Sequence, residues 1–195
     1  MAESIDIGVY QRRRARLAAA MQEGVAIVPT APERARNRDA HYPYRFDSYF
    51  YYLTGFREPA AALVIVAGAE PKSILFCRDK DPERENWDGF RHGPEAARGA
   101  FGFDEAHSIS QLDALMPELI ADRDALYCHL GADPGWDARV TDWINQVRGR
   151  ARSGVTAPWT VRDVHALLDE MRLIKGPEEL AVMRRAAAIT AGAHR

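Results

Sequence analysis

The fold of this chain is decided by residues 61–77, which read AALVIVAGAEPKSILFC. Residues 61–67 form an unbroken apolar run, which is typical of a strand buried on both faces of a sheet. Residues 68–71 contain glycine and proline and predict a turn. Residues 73–77 predict a second strand that completes a hairpin. We therefore expect the centre of a sheet to be built here from two adjacent strands.

Strands and helices alternate outward from this hairpin. Further strands are predicted at residues 25–28 and 125–130, and helices at residues 9–23, 94–100, 110–122, 134–148 and 160–174 and from Pro177 onward. This order predicts an α/β class with a mixed sheet flanked by helices. Gly176 and Pro177 interrupt the helical pattern, and we expect a domain boundary there.

Three local features complete the predicted organisation. Gly24 follows the first helix as its C-cap, and Thr160 precedes the 160–174 helix as its N-cap. Residues 30–44 are polar and contain proline, which predicts a loop. On the first helix, Arg13 shares the apolar side, but the arginine run of residues 12–16 as a whole predicts a solvated helix face.

Composition excludes several classes of protein. The chain has 195 residues, and 26 basic against 28 acidic side chains give a net charge of −2. A balance this close to zero argues against a dedicated nucleic-acid binder. No apolar run approaches a membrane span and no signal peptide is visible. Two cysteines, Cys77 and Cys128, cannot form a disulfide framework, so reduced thiols and a cytoplasmic location are expected.

Short catalytic motifs are absent from the sequence. It contains no Gly-x-Ser-x-Gly elbow, no phosphate-binding Gly-rich loop and no His-Glu-x-x-His pair. A hydrolytic metal site needs several ligands and an open position, which none of the local His–carboxylate groups supplies alone. Those groups are Asp39 with His41, Asp88 with His92, and Asp104 and Glu105 with His107.

Two other side chains stand out. His165 and Asp169 lie four apart on a predicted helix, a spacing that favours a local ion pair or hydrogen bond. Trp87 is alone among the charged residues 79–93, where a polar loop offers it no helical or strand face. It either packs into the chain's own core or is presented to a ligand or another subunit. The pattern leaves both alternatives open.

Three segments together resemble a known family. They are residues 39–56, with DAHYPYR followed by SYFYYLTGF; residues 78–94, ending in ENWDGFRHGP; and residues 171–190, beginning with MRLIKGPEEL. In this order they are similar to the N-terminal domain of Xaa-Pro aminopeptidase, also called aminopeptidase P. That enzyme belongs to the creatinase/prolidase-type metallopeptidases. The resemblance covers nearly the whole chain.

The resemblance implies a two-domain enzyme that removes the N-terminal residue preceding a proline. Its N-terminal domain is expected to be α/β with a ribonuclease-H-like motif. Its C-terminal pita-bread domain carries two metal ions, usually manganese, whose bridging hydroxide attacks the peptide bond. We therefore expect residues 1–174 to be the non-catalytic domain and residues 175–195 a linker and the first helix of the catalytic domain. Catalytic residues and metal ligands are expected downstream, so this chain alone should be inactive.

The resemblance also implies partners and two site residues. The domain is expected to contact its own catalytic domain, to support a homo-dimer or tetramer, and to border the active site. Trp87 and Arg152 match residues near the substrate entrance, where an aromatic face suits the prolyl ring and a guanidinium suits a peptide carboxylate. Peptides with proline at the second position are the expected substrates. No nucleic-acid or membrane partner is expected.

Two alternatives remain at this point. Within the same family, the chain resembles the N-terminal domain of an Xaa-Pro dipeptidase, or prolidase. The second alternative is not an enzyme: it is a protein-binding module of the same fold that has lost its metal ligands. The tryptophan segment and the Tyr-Pro-Tyr-Arg block (residues 42–45) favour the aminopeptidase.

Overall fold

The structure, a computed structural model, describes residues 6–194. Its strands are β1 (Gly24–Pro29), β2 (Ala35–Asn37), β3 (Ala40–His41), β4 (Ala62–Ala67), β5 (Lys72–Cys77), β6 (Glu105–Ser108), β7 (Ala125–Cys128) and β8 (Thr160–Asp163). Its helices are α1 (Ile7–Met21), α2 (Ser48–Thr54), α3 (Pro82–Asp88), α4 (Gly93–Phe101), α5 (Leu112–Ile120), α6 (Pro134–Gly149), α7 (Val164–Leu173) and α8 (Pro177–Ala193). Short 3-10 turns occupy Ile109–Gln111 and Ala151–Ser153.

One six-stranded sheet carries the domain, with the strand order β6-β5-β4-β1-β7-β8. β4 is antiparallel to both of its neighbours, and the remaining adjacent pairs are parallel. All six residues of β4 are buried. The predicted hairpin of β4 and β5 and the predicted mixed sheet are thus confirmed. β2 and β3 form a separate small hairpin inside the segment predicted as a loop.

Helices cover both faces of the sheet, because side chains alternate between the faces of each strand. On one face Leu63 and Ile65 pack with α1, α2, α4 and α7. On the other face Val64 and Val66 pack with α5 and α6. The result is a three-layer α/β/α arrangement, as expected for an α/β chain whose helices flank its sheet.

Helix α1 differs from its predicted solvated arginine face. Arg12 and Arg16 are exposed, but Arg13 and Arg14 are buried. The Arg13 guanidinium donates to the carbonyl of Tyr52 at 3.0 Å and lies 4.0 Å from that ring's centroid. The prediction is wrong for Arg14 because α2 and α4 supply carbonyl acceptors that no local pattern reveals.

Two cap assignments and one helix are also corrected. Gly24 begins β1, and Gln22 ends α1 with a φ of 64°. Residues 160–163 form β8 instead of a first helical turn, because their backbone pairs with the edge of β7. Asp163 is therefore the residue that caps α7, and Thr160 lies at the start of the strand.

Both cysteines are free thiols inside the domain, as expected. Burial raises the pKa of Cys77 and of Cys128 to about 12, which leaves the thiolate, the reactive form, scarce at neutral pH. No helix within residues 6–194 is long and apolar enough to cross a bilayer.

Candidate functional site

Trp87 projects from a short helix that the sequence pattern did not predict. Helix α3 begins after Asp81, whose carboxylate accepts from the backbone N–H of Arg84 at 3.0 Å, and Pro82 is its first residue. The Trp87 side chain is 88% exposed and Phe90, just after the helix, is 65% exposed. Trp87 therefore does not pack into the core, and the segment presents aromatic surface outward.

Ionic contacts fix the shape of the Trp87 segment, defined as residues 78–93. The Lys80 ammonium contacts the Glu85 carboxylate and donates to the Arg91 carbonyl at 2.9 Å. The Arg91 backbone N–H donates to Glu85 at 2.7 Å, and its guanidinium reaches Asp88 at 2.6 Å. The hydrogen bond from Lys80 holds the pKa of Glu85 below its usual range, so the carboxylate stays ionised.

A nearly buried carboxylate anchors the base of the segment. Glu58 accepts from both the backbone N–H and the Nδ1 of His92, at 2.9 and 2.6 Å, and lies 3.6 Å from the Arg78 guanidinium. The predicted grouping of Asp88 with His92 is therefore not formed, because each has another partner. The arrangement ties the exposed aromatic segment to the core.

Arg152 occupies the 3-10 turn that follows α6. Its side chain is exposed, and within residues 6–194 no acceptor lies within hydrogen-bond distance of its guanidinium. The neighbouring Arg150 pairs instead with Glu118 at 2.6 Å. Arg152 is thus a cation available to an external anion.

The sheet topology separates Trp87 from Arg152. The Trp87 segment follows the carboxyl end of β5, whereas Arg152 precedes the amino end of β8. Three strands lie between β5 and β8, so four interstrand spacings separate them, or roughly 19 Å at the usual strand spacing. One copy of the chain therefore does not bring these two side chains to a common site.

A second group of polar side chains meets where β7 and β8 end. His129 Nδ1 lies 3.3 Å from both carboxylate oxygens of Asp163. Asp163 also caps α7 by accepting from the backbone N–H of His165 at 2.9 Å. The ring of His165 is stacked between those of His129, at 3.8 Å, and Tyr49, at 4.1 Å. We call His129, Asp163 and His165 the histidine–aspartate cluster.

Protonation states in the cluster follow from burial and from these bonds. Partial burial, reinforced by the charge of His129, lowers the pKa of His165 and favours its neutral ring. Partial burial raises the pKa of Asp163, but the bonds from His165 N–H and His129 outweigh it and bring the pKa below its usual range. The cluster therefore offers an ionised carboxylate beside a neutral imidazole.

A crevice of about 300 Å³ adjoins the cluster. It lies between the carboxyl ends of β1 and β7, and Trp136 and Val140 of α6 form one wall. The chain leaves β1 toward one face of the sheet and β7 toward the other. Open α/β sheets bind ligands at such a switch point.

The profile of the family described as the N-terminal domain of aminopeptidase P matches residues 10–127. The chain belongs to the aminopeptidase P family. It is 40% identical over 188 residues to the Xaa-Pro aminopeptidase of Escherichia coli, covering 95% of this chain and 43% of that protein. It is 38% identical to the Xaa-Pro aminopeptidase of Haemophilus influenzae, covering 95% of this chain and 41% of that protein.

Solved structures give the same result. The Pseudomonas aeruginosa aminopeptidase PepP superposes with a TM-score of 0.93 at 46% identity, covering 97% of this chain and 43% of that chain. An aminopeptidase P from E. coli gives 0.94 at 40% identity, covering 97% and 44%. The chain thus spans about two-fifths of the length of these relatives. The α/β fold expected from the family resemblance is confirmed.

In this aminopeptidase P domain, several polar side chains have partners other than those that their sequence spacing suggests. Asp169 accepts from the Tyr49 hydroxyl at 2.6 Å instead of pairing with His165. Asp104 accepts from Ser73, at its backbone N–H and its hydroxyl. Within residues 6–194, the histidine–aspartate cluster is the group that brings three potential metal-binding atoms together, all within 4.8 Å of one another. No local spacing reveals it, because His129 lies 34 residues before Asp163 and meets it only through the pairing of β7 with β8.

Helix α8 leaves an apolar surface on the domain. None of its residues is buried. Its first turn contacts α1 through two ion pairs, Arg12 with Glu178 at 3.4 Å and Arg13 with Glu179 at 3.5 Å. The exposed apolar side chains of α8 and of the segment before it are Leu173, Ile174, Leu180, Val182, Met183 and Ile189.

Proposed function

We propose that this chain is the non-catalytic N-terminal domain of an Xaa-Pro aminopeptidase, an enzyme that removes the residue preceding a proline. The observation that carries the proposal is the family match together with 40% identity to the Xaa-Pro aminopeptidase of E. coli. That relative is more than twice as long as this chain. The peptidase chemistry is therefore proposed to belong to a further domain.

The proposed boundary lies at residue 175, with residues 1–174 as the N-terminal domain and residues 175–195 as a linker and the first catalytic-domain helix. Two features support it. Gly176 and Pro177 separate α7 from α8, and α8 buries no side chain against the rest of the chain. Its exposed apolar residues are the kind of surface that another domain covers.

We propose that the parent enzyme holds two manganese ions. The residues described on this chain do not form a site that suits manganese. Hard cations such as manganese favour several carboxylate oxygens. The histidine–aspartate cluster has one carboxylate and two imidazoles. We therefore propose no catalytic residue and no manganese ligand on this chain. A zinc-substituted E. coli aminopeptidase P in complex with product is among the similar structures, at 39% identity, and supports a metal-dependent parent.

Trp87 and Arg152 are proposed to border substrate entrances of an oligomer. Both side chains are exposed, and their separation by four interstrand spacings favours contributions to different active sites of a homo-dimer or tetramer. An indole face packs against a pyrrolidine ring, and a guanidinium pairs with a peptide carboxylate. The partners proposed are thus the chain's own catalytic domain, further copies and peptides with proline at the second position. Two free buried thiols support a cytoplasmic location.

The full-length protein, supplied with manganese, is expected to cleave Xaa-Pro-Yaa peptides, whereas this 195-residue chain is expected to release no product. The measurement is release of the free N-terminal amino acid under identical conditions. Cleavage by the isolated chain would contradict the proposal that the chemistry lies elsewhere. Cleavage of Xaa-Pro dipeptides alone by the full-length protein would favour a prolidase.

In the full-length enzyme, Trp87→Ala and Arg152→Ala are each expected to lower kcat/KM for Xaa-Pro-Yaa peptides about tenfold, since each removes roughly 1.4 kcal/mol of substrate contact. Both side chains are exposed, so the melting temperature should be unchanged. Glu83→Ala, on the same short helix as Trp87, and Arg148→Ala, near Arg152, are the matched controls. An equal kcat/KM in all four variants would show that Trp87 and Arg152 do not contact the substrate at its entrance.

A further inference from the structure

We infer that this chain has a divalent transition-metal site of its own, formed by His129, Asp163 and His165. The inference does not depend on the proposed function. It rests on donor type, donor spacing and the place of the cluster in the fold.

The donor spacing is close to what zinc requires. A tetrahedral zinc ion about 2.1 Å from each donor places neighbouring donors roughly 3.4 Å apart. His129 Nδ1 already lies 3.3 Å from the Asp163 carboxylate. The donor atoms of all three residues lie within 4.8 Å of one another. The widest donor separation therefore exceeds the tetrahedral spacing by little more than 1 Å at most.

Parallel strand pairing sets this geometry. The register of β7 and β8 puts Cys128 opposite Asp163, so His129 lies beside the carboxylate. The hydrogen bond from the backbone N–H of His165 orients that carboxylate at 2.9 Å, in the way that outer contacts orient metal ligands elsewhere. Two donors are thus already adjacent before a metal arrives.

His165 is the donor that must move. Its ring is stacked between His129 and Tyr49, and two stacked imidazoles cannot both direct a nitrogen lone pair at one ion. Its side chain is only partly buried at the start of α7, so a rotation about its side-chain bonds brings its nitrogen toward Asp163. Metal binding therefore exchanges the stack on Tyr49 for coordination.

The donor set selects the class of metal. Two imidazoles with one carboxylate suit zinc, nickel or copper, whereas magnesium, calcium and manganese favour oxygen donors. Three protein ligands leave one tetrahedral position open, and the adjoining crevice of about 300 Å³ gives water or a small ligand access to it. Other charged groups lining that crevice are mostly acidic, namely Asp47, Asp133 and Asp137 against Arg34.

The test is calorimetric titration of this chain, prepared without a histidine tag, with zinc chloride. One zinc ion is expected to bind per chain, and His129→Ala and His165→Ala are each expected to weaken binding at least about tenfold. His107→Ala is the matched control, because His107 lies 3.4 Å from Glu105 in a pair with only two donors. Its zinc affinity should equal that of the unmodified chain.

Several results would overturn the inference. They are failure of the unmodified chain to bind zinc, unchanged affinity in either cluster variant, or an equal loss in His107→Ala. Circular dichroism and the melting temperature check that each variant is folded. We expect all of them to fold, because none of the substituted side chains belongs to the core. Histidine ring signals in NMR spectra provide a second readout, since two rings should shift with one equivalent of zinc. Peptidase activity enters none of these measurements, so they stand or fall independently of the proposed function.

Discussion

Trp143→Ala is expected to lower the free energy of unfolding by about 4 kcal/mol. Trp143 is fully buried on α6 and packs with the side chains of α5 against the sheet. Its removal leaves a large cavity that rigid neighbours cannot fill. The indole N–H also donates to Asp113 at 2.9 Å, joining α6 to α5. Urea unfolding should show a lower midpoint with an unchanged slope, and the melting temperature should fall by about 10 °C.

Trp143→Phe is the matched variant, because it retains most of the ring volume and loses the hydrogen bond to Asp113. It is expected to cost roughly half as much as the alanine variant. A loss below about 1 kcal/mol for Trp143→Ala would mean that α6 contributes little to the stability of the layer. Equal losses in the two variants would assign the effect to the hydrogen bond instead of to packing.

Arg14→Ala is expected to cost about 3 kcal/mol, although the sequence pattern predicts a solvated position. The guanidinium donates to the carbonyls of Leu53 at 3.0 Å and Phe101 at 3.1 Å, and also to that of Gly102. Leu53 is the last but one residue of α2, Phe101 is the last of α4, and Gly102 follows α4. It also lies 4.4 Å from the centroid of the Phe103 ring. Without it the carbonyls of Leu53 and Phe101 lose this donor, while that of Gly102 keeps only a long bond from Gln11 at 3.4 Å, and unsatisfied acceptors are costly.

The electrostatic state of Arg14 reflects the same environment. Burial lowers the pKa of its guanidinium to about 10, which still leaves it charged at neutral pH. Arg14→Lys should recover only part of the stability, because an ammonium cannot bridge three carbonyls as a planar fork does. Arg16→Ala, two residues along the same helix and exposed, is the matched control and should change stability by less than about 0.5 kcal/mol. Equal chemical denaturation curves for Arg14→Ala and Arg16→Ala would contradict the assigned role.

The elements that could be predicted are those with strong local patterns. The apolar run of β4, the glycine–proline turn after it and the apolar stripe of α6 fixed the hairpin, the mixed sheet and one covering helix. By contrast, β8 is exposed along its whole length, and β6 is only partly buried. An edge strand of this kind is defined by pairing with its neighbour, so no periodicity distinguishes it. Helix α3 was missed for a similar reason, since none of its residues is buried.

The candidate sites divide along the same line. Trp87 was noticeable in the sequence because a large aromatic among charged residues has no local packing partner, and the structure shows its side chain exposed. The histidine–aspartate cluster was not noticeable, since His129 and Asp163 are 34 residues apart. The sequence instead indicated histidines with carboxylates close by in the chain as possible metal ligands. In the structure, His92 and Asp104 contact other partners.

By itself, the sequence determined the α/β class, the central hairpin and, through three motif segments, the resemblance to aminopeptidase P. These features could be recognised because turn residues, apolar periodicity and short motifs are each contained within a few neighbouring positions of the chain. Only the tertiary structure decided that Arg14 is buried, that Trp87 and Arg152 lie far apart across the sheet, and that the histidine–aspartate cluster exists. Each depends on strand order, register or helix placement. These are settled when distant segments bury apolar surface together and satisfy one another's polar groups.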